Sequence, residues 1–135
     1  MNTRRVVITG VGALTPIGNT YGEFTNNLLL GKSGSAAITK FDTTHFKTQF
    51  ACEIKGFNPS DFFDVRELRR MDVFSQYALV TAKEALTMSG IDLESVNRDR
   101  FGVIWASGNG GFKTFEEQIA EFTKNNNVPR FNPFF

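Results

Sequence analysis

The stretch RRVVITGVGALTPIG, residues 4–18, decides how the rest of the chain is interpreted. Residues 6–8 form a continuous β-branched run, which predicts a strand buried on both faces. This strand leads into a turn that contains Gly10 and Gly12. A turn of this kind either cradles a phosphate group or lets two backbone segments pass close together.

The spacing of the glycines argues against a phosphate site. A dinucleotide-binding loop has its third glycine three residues after the second, whereas the next glycine after Gly12 is Gly18. The acidic residue that would bind a ribose is also missing at the expected distance, since the first aspartate is Asp42. A Gly-Lys-Ser run at 31–33 follows a predicted helix instead of preceding one. The sequence therefore disfavours nucleotide binding.

Apolar periodicity predicts alternating helices and strands along the rest of the chain. Two Thr-x-x-Glu capping boxes, at Thr20 and Thr114, mark the starts of two helices. Alternation of this kind predicts an α/β layered fold. The predicted strands are 5–9, 50–54 and 100–107, and the predicted helices are 20–30, 71–89 and 114–124. The run NPSDFF, residues 58–63, predicts a turn running into a short helix.

The two apolar strands set a specific expectation about the architecture. Strands 5–9 and 100–107 are each followed by a glycine turn and a capped helix. We expect them to lie in one sheet, with the 71–89 helix packed against it and with Val7 and Ile104 buried.

Composition excludes several classes of partner. The chain has 135 residues and a formal net charge of +1, so no global field attracts nucleic acid or a membrane surface. No apolar run approaches the roughly 18 residues of a membrane span. A single cysteine, with no secretory segment at the N-terminus, predicts a cytoplasmic protein without an intrachain disulfide. The apolar end RFNPFF predicts that the chain is truncated or that another surface covers it; the alternative is folding back on its own core.

Candidate catalytic residues are few. His45, the single histidine, lies in a polar loop and is expected at the solvated surface. Cys52 occupies an inward-facing position of a predicted strand, so we expect a buried structural thiol rather than a nucleophile. The sequence shows no metal-ligand spacing.

Three arginines form the one basic cluster that stands out. Arg66, Arg69 and Arg70 recur at i, i+3 and i+4, and on a helix they would share a face suited to an anionic partner. The alternative is a solvated face whose charge is balanced by nearby acids: Asp64, Glu67 and Asp72.

Four separated motifs resemble the N-terminal part of a beta-ketoacyl-acyl carrier protein synthase, a type II elongating condensing enzyme. They are RRVVITGVGALTPIGNT, RRMDVFSQYA, ASGNGG and NPFF, in family order and spacing, and the resemblance covers the whole chain. It implies the thiolase-like α/β fold, layered αβαβα, of which residues 1–135 would supply part of the N-terminal half. It also implies a homodimer. It further implies that the glycines of the turn let backbone segments pass in a crowded place.

The implied reaction is a decarboxylating Claisen condensation of an acyl-enzyme thioester with malonyl-acyl carrier protein. The family uses a cysteine and two histidines, and the chain is expected to stop before that cysteine. Cys52 and His45 match none of the three, so no catalytic residue and no cofactor is assigned.

The resemblance also assigns roles to residues that take no part in the bond changes. Asn109 matches the position that gates the acyl pocket, where long-chain enzymes usually carry an apolar residue. Phe134 and Phe135 match a segment lining the acyl tunnel. The arginine cluster, together with Arg130, matches the surface that receives acyl carrier protein.

Two other functions stay open. One is a polyketide-type ketosynthase or its non-catalytic partner subunit. The other is a stand-alone dimerisation module, which would be a monodisperse protein of 135 residues.

Overall fold

The computed structural model describes residues 3–131. Four helices and one two-stranded antiparallel pairing make up its regular structure, with 3₁₀ turns at Pro59–Asp61 and Arg98–Arg100. The elements in chain order are α1 (Tyr21–Leu29), β1 (Ala36–Ala37), β2 (Phe50–Ala51), α2 (Val65–Leu68), α3 (Val73–Ser89) and α4 (Phe112–Lys124).

The first predicted capping box is confirmed in substance. The hydroxyl oxygen of Thr20 accepts a hydrogen bond from the amide of Glu23 at 3.2 Å. The Glu23 carboxylate reaches back to the amide of Asn19 at 2.8 Å, one residue beyond the cap. Gly31, with φ at +67°, adopts the left-handed conformation that ends α1.

The long helix is confirmed, two residues shorter than predicted. It begins at Val73, because Asp72 caps its first turn by accepting a hydrogen bond from the amide of Phe74 at 3.3 Å. It ends at Ser89, followed by Gly90 with φ at +64°. Val80 on this helix is 8% exposed and is the core hydrophobic residue of the described chain.

The prediction of a sheet built from 5–9 and 100–107 is wrong for this chain. Neither segment pairs as a strand within residues 3–131, and Val7 and Ile104 are 59% and 99% exposed. A strand satisfies its amides and carbonyls only through neighbouring strands. The described part of the chain supplies no such neighbour to either segment.

The inward-facing strand around Cys52 is also wrong. Strand β2 covers only Phe50–Ala51, in register with β1 through Ala36 opposite Ala51 and Ala37 opposite Phe50. Both Phe50 and Cys52 are exposed. A pairing of two residues on each strand buries little surface, so no packed layer covers the side chains that the sequence predicted to point inward.

The second capping box, at Thr114 and Glu117, does not form. Helix α4 begins two residues earlier, at Phe112, after Gly111 with φ at +75°. The Thr114 hydroxyl donates to Asp72 instead. A capping box does form at α2, where the Asp64 carboxylate and the Glu67 side chain satisfy each other's amides.

Contacts divide the chain into two compact units. The first comprises Met1–Phe57 with Val80–Leu93, and the second comprises Asn58–Leu79 with Glu94–Phe135. Across residues 3–131, no helix combines the length and hydropathy that a membrane crossing requires.

In the first unit, the glycine turn lies against the backbone of α3. A Cβ atom on Gly10 would stand 2.0 Å from the carbonyl oxygen of Ala85, and one on Gly12 would stand 1.9 Å from that of Thr81. Both positions exclude every larger residue. The expected role of these glycines, passage of backbone in a crowded place, is therefore confirmed.

The same turn is held to α3 by one carboxylate. Glu84 accepts a hydrogen bond from the amide of Ala13 and another from the amide of Tyr21, each at 2.8 Å. These bonds span 71 and 63 residues of sequence, so they fix tertiary structure rather than a local turn.

Candidate functional site

The second unit contains an apolar cavity of about 490 Å³ beside the SGNGG loop, residues 107–111. The ring of Phe115 and the side chain of Ile119, one turn apart on α4, form one wall, and Phe131 forms another. Gly110 and Gly111 form the rim on the loop side. The volume lies within the range of pockets that hold small apolar ligands.

Two of the walls are exposed apolar surface. Phe115 and Phe131 are 66% and 52% exposed, and Phe131 stacks on Phe122 with ring centroids 5.7 Å apart. Phe112, at the start of α4, is equally exposed. An apolar face of this kind suits either an alkyl ligand or a covering protein surface.

Asn109 lies in the loop next to the cavity. It is exposed, so solvent can satisfy its side-chain amide. Its neighbour Gly110 lines the cavity, whereas Asn109 itself does not. A gating role for Asn109 stays a prediction.

The loop packs on the first turn of α3. A Cβ atom on Gly110 would lie 2.8 Å from two ring atoms of Phe74. The ring therefore occupies the space a side chain would need, and any residue other than glycine would displace it.

Asp72 connects α3 to α4, whereas the sequence indicated only that its negative charge could balance the nearby arginines. It is 9% exposed and accepts hydrogen bonds from the Thr114 amide at 3.1 Å, from the Thr114 hydroxyl and from the Phe74 amide at 3.3 Å. Burial alone would raise the pKa of Asp72, but the hydrogen bonds from Thr114 and from backbone amides outweigh it and hold that pKa below its ordinary value of 3.8.

A second, polar cavity of about 280 Å³ adjoins Asp72. It is lined by Arg69, Gln76, Lys113 and Thr114 among others. Gln76 is 6% exposed, and its amide nitrogen donates to the carbonyl of Met71 at 3.1 Å. Sequence analysis missed the Asp72–Thr114 pair because 42 residues separate its members.

The arginine segment, residues 66–70, is exposed but is not one helical face. Helix α2 has four residues, so Arg66 lies within it, Arg69 is its C-cap and Arg70 follows. Arg130 is exposed in the same unit.

The acids that could balance this charge are engaged elsewhere. Asp64 accepts from the amides of Arg66 and Glu67 at 2.7 and 2.8 Å, and Glu67 accepts from the amide of Asp64 at 2.9 Å. Asp72 binds Thr114. These carboxylates bind backbone amides and Thr114, and their negative charges still offset part of the positive charge of the arginine segment.

The other predicted residues add no chemistry. His45 is exposed, as expected, and Phe134 and Phe135 lie outside the described residues. Between residues 3 and 131, no group of three or more His, Cys, Asp or Glu side chains is placed to hold a metal ion.

Comparison with known proteins gives a consistent result. The family described as "Beta-ketoacyl synthase, N-terminal domain" matches residues 3–133. The chain is 38% identical over 135 residues to "3-oxoacyl-[acyl-carrier-protein] synthase 2" of Coxiella burnetii, covering all of the chain and 32% of that protein. It is 45% identical over 133 residues to the protein of the same name from Staphylococcus aureus strain COL, covering 98% of the chain and 32% of that protein.

Solved structures agree. The structure titled "The ishigamide ketosynthase/chain length factor" superposes with a TM-score of 0.76 at 29% identity, covering 97% of this chain and 32% of that one. A type II PKS ketosynthase in complex with its acyl-carrier protein superposes with a TM-score of 0.66 at 24% identity, which speaks to the fold alone. The predicted thiolase-like α/β fold is thus confirmed. The chain spans about a third of the length of these relatives.

Proposed function

The chain belongs to the beta-ketoacyl synthase family, and from this premise we propose that it forms the N-terminal part of an enzyme that condenses acyl and malonyl thioesters in fatty-acid elongation. The observation that carries the proposal is 38–46% identity to proteins named 3-oxoacyl-[acyl-carrier-protein] synthase 2 over 97% or more of the chain.

In the proposed reaction, an acyl group first moves from the carrier thiol to a cysteine of the enzyme. The bond between the malonyl methylene and its carboxylate then breaks and releases carbon dioxide. The electron pair left behind attacks the acyl thioester carbonyl, and the enzyme thiolate departs. None of the residues of this chain is assigned to these bond changes, so the catalytic cysteine and histidines are proposed to lie beyond residue 135.

The chain itself supplies the surroundings of the acyl group. The cavity beside the SGNGG loop is walled by aromatic and aliphatic side chains, which favour an alkyl chain by removing its surface from water. Asn109, next to the cavity, and Phe134 and Phe135 are proposed to contribute to the acyl pocket of the whole enzyme. A test is Asn109→Ile, which should shift the preferred acyl length towards longer chains by removing a polar group from the path. An identical chain-length profile for wild type and variant would show that Asn109 is only part of a turn.

Acyl carrier protein is the proposed partner of the arginine segment and Arg130. Carrier proteins are strongly acidic, and exposed guanidiniums form charge-assisted hydrogen bonds with carboxylates and phosphates. Arg66, Arg69, Arg70 and Arg130 are exposed residues, so an acidic partner can reach their guanidiniums from outside. Relatives at 38% and 45% identity are named 3-oxoacyl-[acyl-carrier-protein] synthase 2, which adds to this proposal.

Charge reversal tests the docking proposal. Arg69→Glu with Arg70→Glu should weaken carrier binding by about 1–2 kcal/mol at low ionic strength, or about five- to thirtyfold, and by less as salt screens the surface. The matched control is Arg98→Glu, which alters an exposed arginine already paired with Glu94 at 3.8 Å. An affinity that is the same for the double variant and the control at low salt refutes the assignment.

A polyketide-type ketosynthase, or its non-catalytic partner, is the second candidate. The likeness to the ishigamide ketosynthase/chain length factor and the polar Asn109 favour it. The residue at the nucleophile position of the whole protein separates an active synthase of either pathway from the non-catalytic partner, since a subunit lacking cysteine there forms no acyl-enzyme. Acylation detected by intact mass after incubation with acyl carrier protein supports an active synthase.

The exposure of apolar side chains in two segments disfavours a stand-alone dimerisation module. Val6, Ile8, Val103 and Ile104 are each more than 80% exposed in the described structure. Such surface promotes association unless other protein covers it. A homodimer in the cytoplasm remains our proposal for the whole enzyme, supported by the apolar face of α4.

A further inference from the structure

We infer that Asp72 is a positioning residue, which holds the arginine segment and the SGNGG loop in one arrangement and so links carrier docking to acyl-chain selection. The inference rests on the proposed function for the roles of those two regions. Its structural part, a mechanical link through Asp72 and Thr114, stands on the geometry alone.

On the docking side, Asp72 lies two residues after Arg70, where the chain leaves the arginine segment and enters α3. The amide of Arg70 is bonded to the carbonyl of Glu67 at 3.0 Å, and the Met71 carbonyl accepts from buried Gln76 at 3.1 Å. Arg69 and Asp72 line the same polar cavity. The end of the arginine segment is therefore anchored to the start of α3, so a shift of Asp72 also moves the arginine segment.

On the loop side, the Asp72 carboxylate binds the first turn of α4. It accepts from both the amide and the hydroxyl of Thr114, three residues after Gly111. The Phe115 amide donates to the Gly111 carbonyl at 2.9 Å, which ties that turn to the SGNGG loop. Phe74, whose amide Asp72 also accepts, backs Gly110 of the same loop.

The geometry requires a carboxylate. One oxygen of Asp72 serves the Phe74 amide and the other serves both donors of Thr114. An asparagine offers one acceptor oxygen, and its NH₂ group would face a donor on the other side. Asp72→Asn therefore releases either α3 or α4. The lowered pKa of Asp72 agrees with a carboxylate whose charged form these donors stabilise.

The test compares Asp72→Asn, Thr114→Val and their double variant in the whole synthase. Carrier affinity and kcat/KM are measured with short and long acyl-carrier proteins. Each single variant should change the long-to-short ratio by about twofold to thirtyfold, the range for mutations that modulate coupling between two sites. Thr114 also lines the apolar cavity, so the effect of Asp72→Asn, at a residue outside that lining, carries the comparison. The double variant should add little to Asp72→Asn alone, because Asp72→Asn already weakens the contact whose hydroxyl part Thr114→Val removes. Thr114→Ser keeps the hydroxyl and should restore the wild-type profile.

Glu84→Gln is the matched control. It also replaces a carboxylate that accepts two backbone amides, but it acts in the first unit and on the glycine turn. It should leave the long-to-short ratio unchanged. A ratio that moves as much in Glu84→Gln as in Asp72→Asn means general destabilisation and overturns the inference.

Amide hydrogen exchange keeps the inference separate from the proposed function. Thr114→Val, a change on α4, should speed exchange at the Arg70 amide by about twofold or more, since the link crosses from α4 to the arginine segment. Unchanged exchange at Arg70 overturns the inference, whatever the activity. A wild-type protein that condenses no acyl chain refutes the proposed function and leaves this exchange result to decide the link.

Discussion

Glu84 should carry a measurable share of the stability of the first unit. Its two carboxylate oxygens each accept one backbone amide, from Ala13 and from Tyr21, both at 2.8 Å. A hydrogen bond to a charged group contributes about 1.5–3 kcal/mol. Because both amides are half-buried, water replaces part of each bond, and we expect Glu84→Ala to cost about 3 kcal/mol in total.

Hydrogen exchange resolves this prediction amide by amide. Loss of one bond worth about 1.5–3 kcal/mol lowers the protection of the donor about 10- to 150-fold. Glu84→Ala should expose the amides of both Ala13 and Tyr21. Glu84→Gln retains one acceptor oxygen and should expose only one of them strongly.

The control is Glu117→Gln on α4. Glu117 is 63% exposed and forms an ion pair with Lys113 at 3.7 Å, so its loss should change stability by less than about 1 kcal/mol. Unaltered protection at Ala13 and Tyr21 in Glu84→Ala would refute the reasoning, because the turn would then be held by contacts other than this carboxylate.

Three further predictions follow from single positions. Gly12→Ala should destabilise the protein by about 1–3 kcal/mol, because its Cβ would overlap the Thr81 carbonyl. Gly22→Ala, in α1 with open space around it, should stabilise the protein by about 0.5–1 kcal/mol. Equal melting temperatures for the two variants would contradict both expectations. The pKa of Asp72 is lower in the folded state, so its stabilisation is present above pH 3.8 and disappears as the pH falls through the folded pKa. Urea unfolding of wild type and Asp72→Asn should therefore differ at neutral pH and converge in acid, and a constant difference would be inconsistent with this linkage. Cys52 is exposed and should react with a thiol reagent without denaturant, as peptide-level mass spectrometry can show; protection until unfolding would place it in a core.

The start of α1 and the close glycine contacts could be predicted from sequence because their causes are local or depend on residue size. Thr20 caps α1 through the amide of Glu23, three residues away, and Gly12 is required where backbone approaches backbone. Helix α3 likewise follows from the 3.6-residue periodicity of its apolar residues. The family was also predictable, because four motifs kept their order and spacing.

Side-chain partners far apart in sequence could not be predicted. In the sequence, Asp72 is one of several charged residues in the stretch 64–72, and Thr114 has the pattern of a helix cap. Their contact bridges 42 residues, and it decides both where α4 begins and what the Asp72 carboxylate does. A capping-box pattern supplies a donor and an acceptor, but a buried carboxylate nearby offers the hydroxyl a stronger partner.

The failed strand predictions have a different physical cause from the failed cap. A helix satisfies its backbone hydrogen bonds within its own segment, so α3 forms with whatever neighbours are present. A strand takes every such bond from another segment, and residues 6–8 and 103–104 carry apolar side chains suited to a sheet that residues 3–131 do not build. The confirmed thiolase-like fold and the exposed strands are therefore compatible, because the chain covers about a third of the relatives that share the fold. On our proposal, the remaining strands come from the rest of the synthase, and burial of Val7 and Ile104 becomes a property of the whole enzyme. Solvent exchange at these two residues, fast in the 135-residue chain and slow in the complete protein, is the expected result; equally fast exchange in both would leave the apolar runs without a structural role.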